Sequence, residues 1–453
     1  MPLPIQISLL AVLGAVVGSL INWAIYQWAI CQHRPVSPFM KPRLELLREP
    51  EDKEKLSQLG PRSGLDFLPI FGWFRLRRDA SILGTGCWIR PLLIEITWMI
   101  GLPLFFWWQI DGGLIGVNPA TGLVGGVATF APYATTWFWL HAVLIALMFI
   151  ATFIDFDEQM IPDQVTVPGT IIALIAAAAF PWSRLPYLAS TLALLPSLEN
   201  IDFASPPPAT PGLWTTGTIG LATCVAIFAA WVLALLPKII PLREFKLGIA
   251  GNLKIMLASI VRPQRKTACD LRTRTRSMPV MTRMYVGMLF IGLILIPVAW
   301  FGWLDAVQKT SLVSSFIGLA ISGGLIWGIR IVGGLALGQE AMGFGDVTLM
   351  CMVGAFLGWQ VSMVGFVYSI MFAVVFAIIL FVITKKSYLA FGPYLCMGSL
   401  LALVRWPSVL KEFDHVFYLG PWLLVGFGGS LVLMGILLPL VRWLKESMLG
   451  VEE

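Results

Sequence analysis

Phe153-Ile154-Asp155-Phe156-Asp157-Glu158-Gln159-Met160-Ile161-Pro162-Asp163 closes a long apolar run centred near Leu144. Gly343-Phe344-Gly345-Asp346 sits at the edge of another, far along the chain. Carboxylates are costly at the border of a hydrocarbon layer, so two such motifs mark a functional site by default. The alternative reading is topological punctuation. The surrounding composition decides the class: 58% of the 453 residues are hydrophobic and 12% charged, with mean hydropathy +0.83. That balance lies far outside the soluble range. The predicted fold is all-α, a polytopic integral membrane helical bundle with roughly 8–11 transmembrane helices joined by cytoplasmic loops.

Eleven apolar runs are long enough, or nearly so, to cross a core of about 30 Å. Their centres fall near Val16, Met99, Leu144, Ile172, Ala226, Ile291, Ser322, Ala355, Val374, Met397 and Leu431. The first, Ile5 to Trp28, lacks a basic leader region and a small-residue cleavage site, so it reads as a retained helix rather than a signal peptide. With eleven crossings, 26 of the 31 Lys and Arg residues fall on one face, chiefly within 34–90 and 238–283. Short cytoplasmic loops collect positive charge. The N-terminus is therefore expected outside and the C-terminus in the cytoplasm of a multi-pass bacterial inner-membrane protein. On this topology Asp155 and Asp346 both emerge on the cytoplasmic side.

Two facing aspartates suit aspartic proteolysis. One is ionised and takes a proton from water, while the other is neutral and polarises the scissile carbonyl. Asp346 precedes a helix, where a positive dipole end favours the anion, whereas Asp155 follows one and neighbours Asp157 and Glu158. Asp346 is thus expected to be the base and Asp155 to hold the shared proton. Gly343 and Gly345 remove Cβ atoms beside Asp346 and would let a substrate backbone approach.

Read together, the motifs resemble the type IV prepilin peptidases. Phe153-Ile154-Asp155 with Ile161-Pro162-Asp163-Gln164-Val165-Thr166 is similar to the family's first catalytic segment. Glu340 to Leu349, continuing through Gly354-Ala355-Phe356-Leu357-Gly358, is similar to the second. Phe391-Gly392-Pro393-Tyr394-Leu395 and Gly18-Ser19-Leu20-Ile21-Asn22 resemble signatures of a late helix and of the first. The resemblance implies catalytic Asp155 and Asp346, supported by Gly343, Gly345, Pro162 and Asp163. It also implies a peptidase that removes the basic leader of prepilins or pseudopilins at a Gly-Phe type junction. In domain terms, 1–28 is the first transmembrane helix and 29–91 a cytoplasmic loop resembling a degenerate methylation-type region. Residues 92–453 form the peptidase domain, with inserts at about 183–213 and 239–283.

Three departures matter. Family members that also methylate the new N-terminus with S-adenosylmethionine carry two zinc-binding cysteine pairs in that loop. Here Ala80 and Leu83 occupy positions of the second pair, so zinc is not expected. The peptidase reaction needs no cofactor, and S-adenosylmethionine enters only if methylation is retained. Thr348 stands where the family usually places Lys. The basic insert is expected to meet membrane lipid rather than nucleic acid.

Bland readings cover the rest. Cys224, Cys351 and Cys396 are packing residues, and Trp107, Trp108 and Trp137 are interfacial anchors. Gly14 with Gly18, and Gly334 with Gly338, are close helix contacts. His33, His141 and His415 show no ligand spacing. Two alternative functions stay open: a secondary transporter using the carboxylates as cation sites, and an intramembrane aspartic protease with another substrate. The sequence leaves the oligomeric state undetermined.

Overall fold

The computed structural model describes residues 3–29, 63–83, 86–109, 126–181, 187–188, 201–202, 216–236, 271–337, 342–384, 390–406, 409, 416 and 425–437. Most are helical because long Leu-, Ile-, Val- and Ala-rich runs in lipid must satisfy every backbone group internally. In chain order, α1 (Leu3–Trp28) precedes a loop holding a 3-10 turn (Gly64–Phe67), α2 (Phe71–Leu76), a second 3-10 turn (Arg77–Asp79) and α3 (Ala80–Leu83). Then come α4 (Ile89–Trp107), α5 (Gly126–Glu158) and α6 (Asp163–Ala179). A two-residue antiparallel pair, β1 (Tyr187–Leu188) and β2 (Ile201–Asp202), sets Tyr187 opposite Asp202. The rest is α7 (Thr218–Leu235), α8 (Leu271–Gly302), α9 (Ala306–Leu337), α10 (Phe344–Leu357), α11 (Trp359–Thr384), α12 (Gly392–Val404) and α13 (Val425–Leu437).

Among the described residues, seven helices are long and apolar enough to span a membrane: α1, α4, α5, α7, α8, α9 and α11. Four shorter apolar helices, α6, α10, α12 and α13, accompany them. Each of the eleven centres read from hydropathy lies inside one of these helices. The chain is a polytopic helical membrane protein. Cys31, Cys269, His33, His415 and Gly338 lie outside the described residues, as do most of the two inserts.

The chain divides into two compact units. The first holds Met1–Gly169, Leu194–Pro196 and Val364–Ser408. Here α1 lies against α4 because Gly14 and Gly18 carry no Cβ. One on Gly14 would strike the Trp98 carbonyl, and one on Gly18 would come within 2.7 Å of the Glu95 Cα. That approach buries a polar knot. Ser19 donates to Glu95 Oε1 at 2.6 Å, and Asn22 Nδ2 donates to the Pro91 carbonyl at 2.9 Å and to Glu95 Oε1 at 3.3 Å. The Ile70 N–H reaches the other Glu95 oxygen and so ties the loop to the two helices.

Ile70 itself has φ 65 and ψ −58, and Phe71 N–H bonds the Pro69 carbonyl at 2.7 Å. This is a strained γ-turn, costing on the order of 1–3 kcal/mol. Trp73 and Leu76 on α2 then pack on Leu92 of α4. Trp137 is fully buried, which corrects the expectation of an interfacial anchor, whereas Trp107 is exposed. Hydropathy places a tryptophan along the membrane normal but does not say which way it faces.

The loop is held by Asp66, which is almost inaccessible. Its carboxylate accepts from the Ser63 N–H at 2.9 Å, Arg75 Nε at 3.0 Å and Arg78 Nη2 at 2.9 Å. Burial pushes the Asp66 carboxyl up, but the Ser63 N–H and the two guanidiniums outweigh it and hold it below the usual carboxylate range. A depressed folded pKa stabilises the protein above the unfolded value of about 3.9, and that contribution is lost as pH falls through the folded one. Asp66→Asn is expected to lower thermal stability at pH 7 by about 1–2 kcal/mol, a figure discounted for the solvent reaching both arginines. The gap between variant and wild type should narrow as pH falls through the depressed folded value, read by melting curves across pH.

The second unit holds Thr170–Ala193, Ser197–Met363 and Val409–Glu453. An Asp305–Gln308 capping box starts α9: Gln308 N–H donates to Asp305 Oδ1 at 2.7 Å and Asp305 N–H to Gln308 Oε1 at 2.9 Å. The helices α9 and α10 cross with backbones in contact. A Cβ on Gly354 would collide with the Gly318 carbonyl and lie 2.5 Å from Ser322 Oγ. Ser315 donates across the same seam to the Ala355 carbonyl at 2.7 Å. Cys224 and Cys351 are buried packing residues here, as is Cys396 in the first unit.

Candidate active site

Asp155 belongs to the first unit and Asp346 to the second. Asp155 lies in the last turn of α5 and is 5% exposed. The helix does not stop at it but runs on to Glu158. Gln159 (φ 53) closes the helix, its N–H bonding the Asp155 carbonyl at 2.9 Å. The left-handed residue turns the chain at once into Met160-Ile161-Pro162 and α6. Pro162 is buried, and its carbonyl accepts the Val165 N–H at 3.0 Å; Asp163 lies half-buried in the first turn of α6.

The Asp155 side chain meets the start of α12. Gly392 N–H donates to Asp155 Oδ2 at 3.1 Å. That N–H is one of the donors a helix start leaves without an internal partner, and Pro393 behind it suits the first turn. No side chain fits at 392: a Cβ would lie 2.5 Å from Asp155 Oδ2 and 2.8 Å from Ile161 Cδ1. The start of α12 is in turn fixed against α11. Phe391 packs on Phe366 with ring centroids 6.5 Å apart, and Tyr394 on Phe376 at 5.5 Å.

Asp346 is 7% exposed in the first turn of α10, whose N-cap is Gly343. A Cβ at Gly343 would lie 3.5 Å from Asp346 Oδ2, an ordinary contact, so the carboxylate itself does not demand glycine there. Gly343 is exposed and Gly345 half-buried. Thr348 Oγ1 donates to the Gly345 carbonyl at 3.0 Å and so braces the turn. Arg330 of α9 holds the turn from outside: its Nε donates to the Met342 carbonyl at 3.0 Å, and its guanidinium lies over the Phe344 ring at 5.5 Å.

The expectation that Asp155 holds the shared proton rested on the helix end and the acidic residues beside it. Asp155 also faces a helix N-terminus, that of α12, and the charge of neighbouring Asp157 is paired with Arg90 at 2.8 Å. Asp155 thus lies between the negative end of α5 and the positive end of α12, whereas Asp346 meets the positive end of α10 alone.

Sequence reading quoted Gly392 within a late-helix signature but gave no contact to it, to Arg90 beside Asp155, or to Arg330 beside Asp346. A lone arginine inside an apolar run was the available signal for Arg330. Residues 30–62 of the loop expected to lack zinc lie outside the described residues. In the described part Asp66 has both carboxylate oxygens engaged by arginines, Cys87 is buried, and among the described residues no three His, Cys, Asp or Glu side chains group to hold a metal ion.

Residues 268–378 match the type IV leader peptidase family, a stretch that takes in the Gly343–Asp346 turn but not Asp155. The chain is related to the type IV leader peptidases. A prepilin leader peptidase/N-methyltransferase of Neisseria gonorrhoeae is 26% identical over 183 residues, 38% of this chain and 56% of that protein. A protein of the same name from Stutzerimonas stutzeri is 28% identical over 116 residues, 24% of this chain and 40% of its own. One from Pseudomonas aeruginosa is 26% identical over 91 residues, 19% and 31%. The chain thus spans little more than half of the first leader peptidase and less of the others. No solved structure matches the chain.

Proposed function

We propose that the chain is a membrane aspartic endopeptidase that removes the short basic leader from type IV prepilins or pseudopilins at the cytoplasmic membrane face. The observation that carries this reading is the family match over 268–378, because that stretch contains Asp346. Asp155 and Asp346 are its catalytic carboxylates. The ionised one takes a proton from water as the oxygen attacks the scissile carbonyl, and the neutral one donates a hydrogen bond to the carbonyl oxygen. Collapse of the tetrahedral intermediate breaks the C–N bond, and the leaving amine takes up the proton. The reaction needs no metal or cofactor. The Lys and Arg distribution supports a bacterial inner-membrane location with the N-terminus outside and the site facing the cytoplasm.

The test is cleavage by the full chain in liposomes of a synthetic prepilin with a basic leader, a Gly-Phe junction and one hydrophobic helix. Mass spectrometry of the products is expected to show a single cut after the Gly. Cuts within the hydrophobic helix would favour an intramembrane protease with another substrate. Absence of any cut would bring the transporter forward. The matched relatives are also named N-methyltransferases. With S-adenosylmethionine present, a mass increment of one methyl group on the new N-terminus would show that methylation is retained in this chain.

A further inference from the structure

Arg90, the second residue of α4, grips the helix that carries Asp155 on both sides of that residue. Its Nη1 donates to both Asp157 carboxylate oxygens at 2.8 Å, and its Nη2 to the Phe153 carbonyl at 3.3 Å. Its guanidinium carbon lies 4.7 Å from the centroid of the Phe153 ring. Phe153 and Asp157 are one turn apart on the same face of α5, and Asp155, halfway between them, projects to the other face. Arg90 therefore works from behind the helix, while Gly392 meets the Asp155 carboxylate in front.

We propose that Arg90 is a positioning residue for Asp155, clamping the last turn of α5 so that the carboxylate stays seated on the Gly392 N–H. This rests on the reading of Asp155 as a catalytic group. Three physical effects converge on it. The last turn of a helix has no following turn to hold it and frays first. An anion near a helix C-terminus is unfavourable, and Asp157 is one, so its partner cation removes a local repulsion. Finally, the planar guanidinium engages a carboxylate, a carbonyl and an aromatic ring together, which a lysine ammonium does not reproduce.

The experiment measures cleavage kinetics of the same synthetic prepilin by the full chain in liposomes, for Arg90→Ala, Arg90→Lys, Asp157→Asn and Arg90→Ala/Asp157→Asn. A misplaced catalytic group costs on the order of 10²-fold, and Arg90→Ala is expected to lower kcat by about that much with KM within about threefold of wild type. Arg90→Lys should fall between the two and serves as the second variant if the alanine protein does not fold. The double variant should be no slower than Arg90→Ala alone, since the clamp can be lost only once.

Three results would overturn the proposal: wild-type kcat in Arg90→Ala, a loss confined to KM, or single losses that multiply in the double variant. Hydrogen exchange of the amides of residues 155–159 gives a readout that needs no turnover. Arg90→Ala should speed their exchange, and unchanged exchange sinks the clamp. If wild type fails to cleave, or Asp155→Asn cleaves, the peptidase reading falls, and the exchange data alone then decide what Arg90 does.

Discussion

Asp155→Asn is expected to lower prepilin cleavage by at least about 10³-fold, and Asp346→Asn by as much, with both proteins remaining folded. Asparagine keeps the shape of aspartate. Its Oδ1 can still accept the Gly392 N–H that reaches Asp155 Oδ2 at 3.1 Å, so the helix packing survives the first substitution. What is lost is an exchangeable proton site, and the proposed chemistry needs two. One carboxylate must accept a proton from water and the other must hold one. Neither role can be covered by the partner alone, so the two losses should not multiply in the double variant. The comparison variant is Asp305→Asn: Asp305 is exposed and caps α9, asparagine caps as well, and cleavage should match wild type. Rates are read from initial velocities in liposomes, with melting temperature as the check on folding. Cleavage by either active-site variant at near the wild-type rate would remove that carboxylate from the mechanism.

Gly392→Ala is the second large effect, and it requires no change to either aspartate. The added methyl would sit 2.5 Å from Asp155 Oδ2 and 2.8 Å from Ile161 Cδ1, well inside van der Waals contact. Either the start of α12 backs away and the N–H to Asp155 is broken, or the carboxylate swings out of place. Both displace a catalytic atom by about an ångström, for which a loss near 10²-fold is expected. Overpacking of this kind costs about 1–3 kcal/mol in stability, so the protein should still fold. Adding Ile161→Val removes the Cδ1 contact and should restore part of the stability but little of the rate, because the contact with the carboxylate persists. Full activity in Gly392→Ala would mean that the hydrogen bond from α12 is dispensable.

Much of this was legible in the residues themselves. Eleven apolar runs located eleven helices, because in lipid a helix is the one way a single apolar segment satisfies its own backbone. The two aspartates stood out because carboxylates are rare in such runs, and both are indeed nearly buried. The asymmetry assigned to them was argued from the helix each residue belongs to; what was not legible is that Asp155 also meets a helix that starts 237 residues later. Arg90 was hidden for the same reason: among the basic residues before α4 it looked like topology, and its bond to Asp157 spans 67 positions. The burial of Trp137 was equally invisible, since hydropathy does not report which way a ring faces. Thr348 was noticed as an absent cation, and only the fold supplies its bond to the Gly345 carbonyl.

The knot of Ser19, Asn22 and Glu95 also bears on how the chain is made. Ser19 and Asn22 leave the ribosome more than seventy residues before the carboxylate that receives their hydrogens. Until α4 follows, α1 carries a bare hydroxyl and a bare amide on the face that Gly14 and Gly18 keep flat. A nascent chain stopped short of residue 95 would hold those groups towards lipid or the insertion machinery. Only once α4 has been made do those groups have the partners they hold in the fold, Glu95 and the Pro91 carbonyl, with the loop tied to the same carboxylate through the Ile70 N–H.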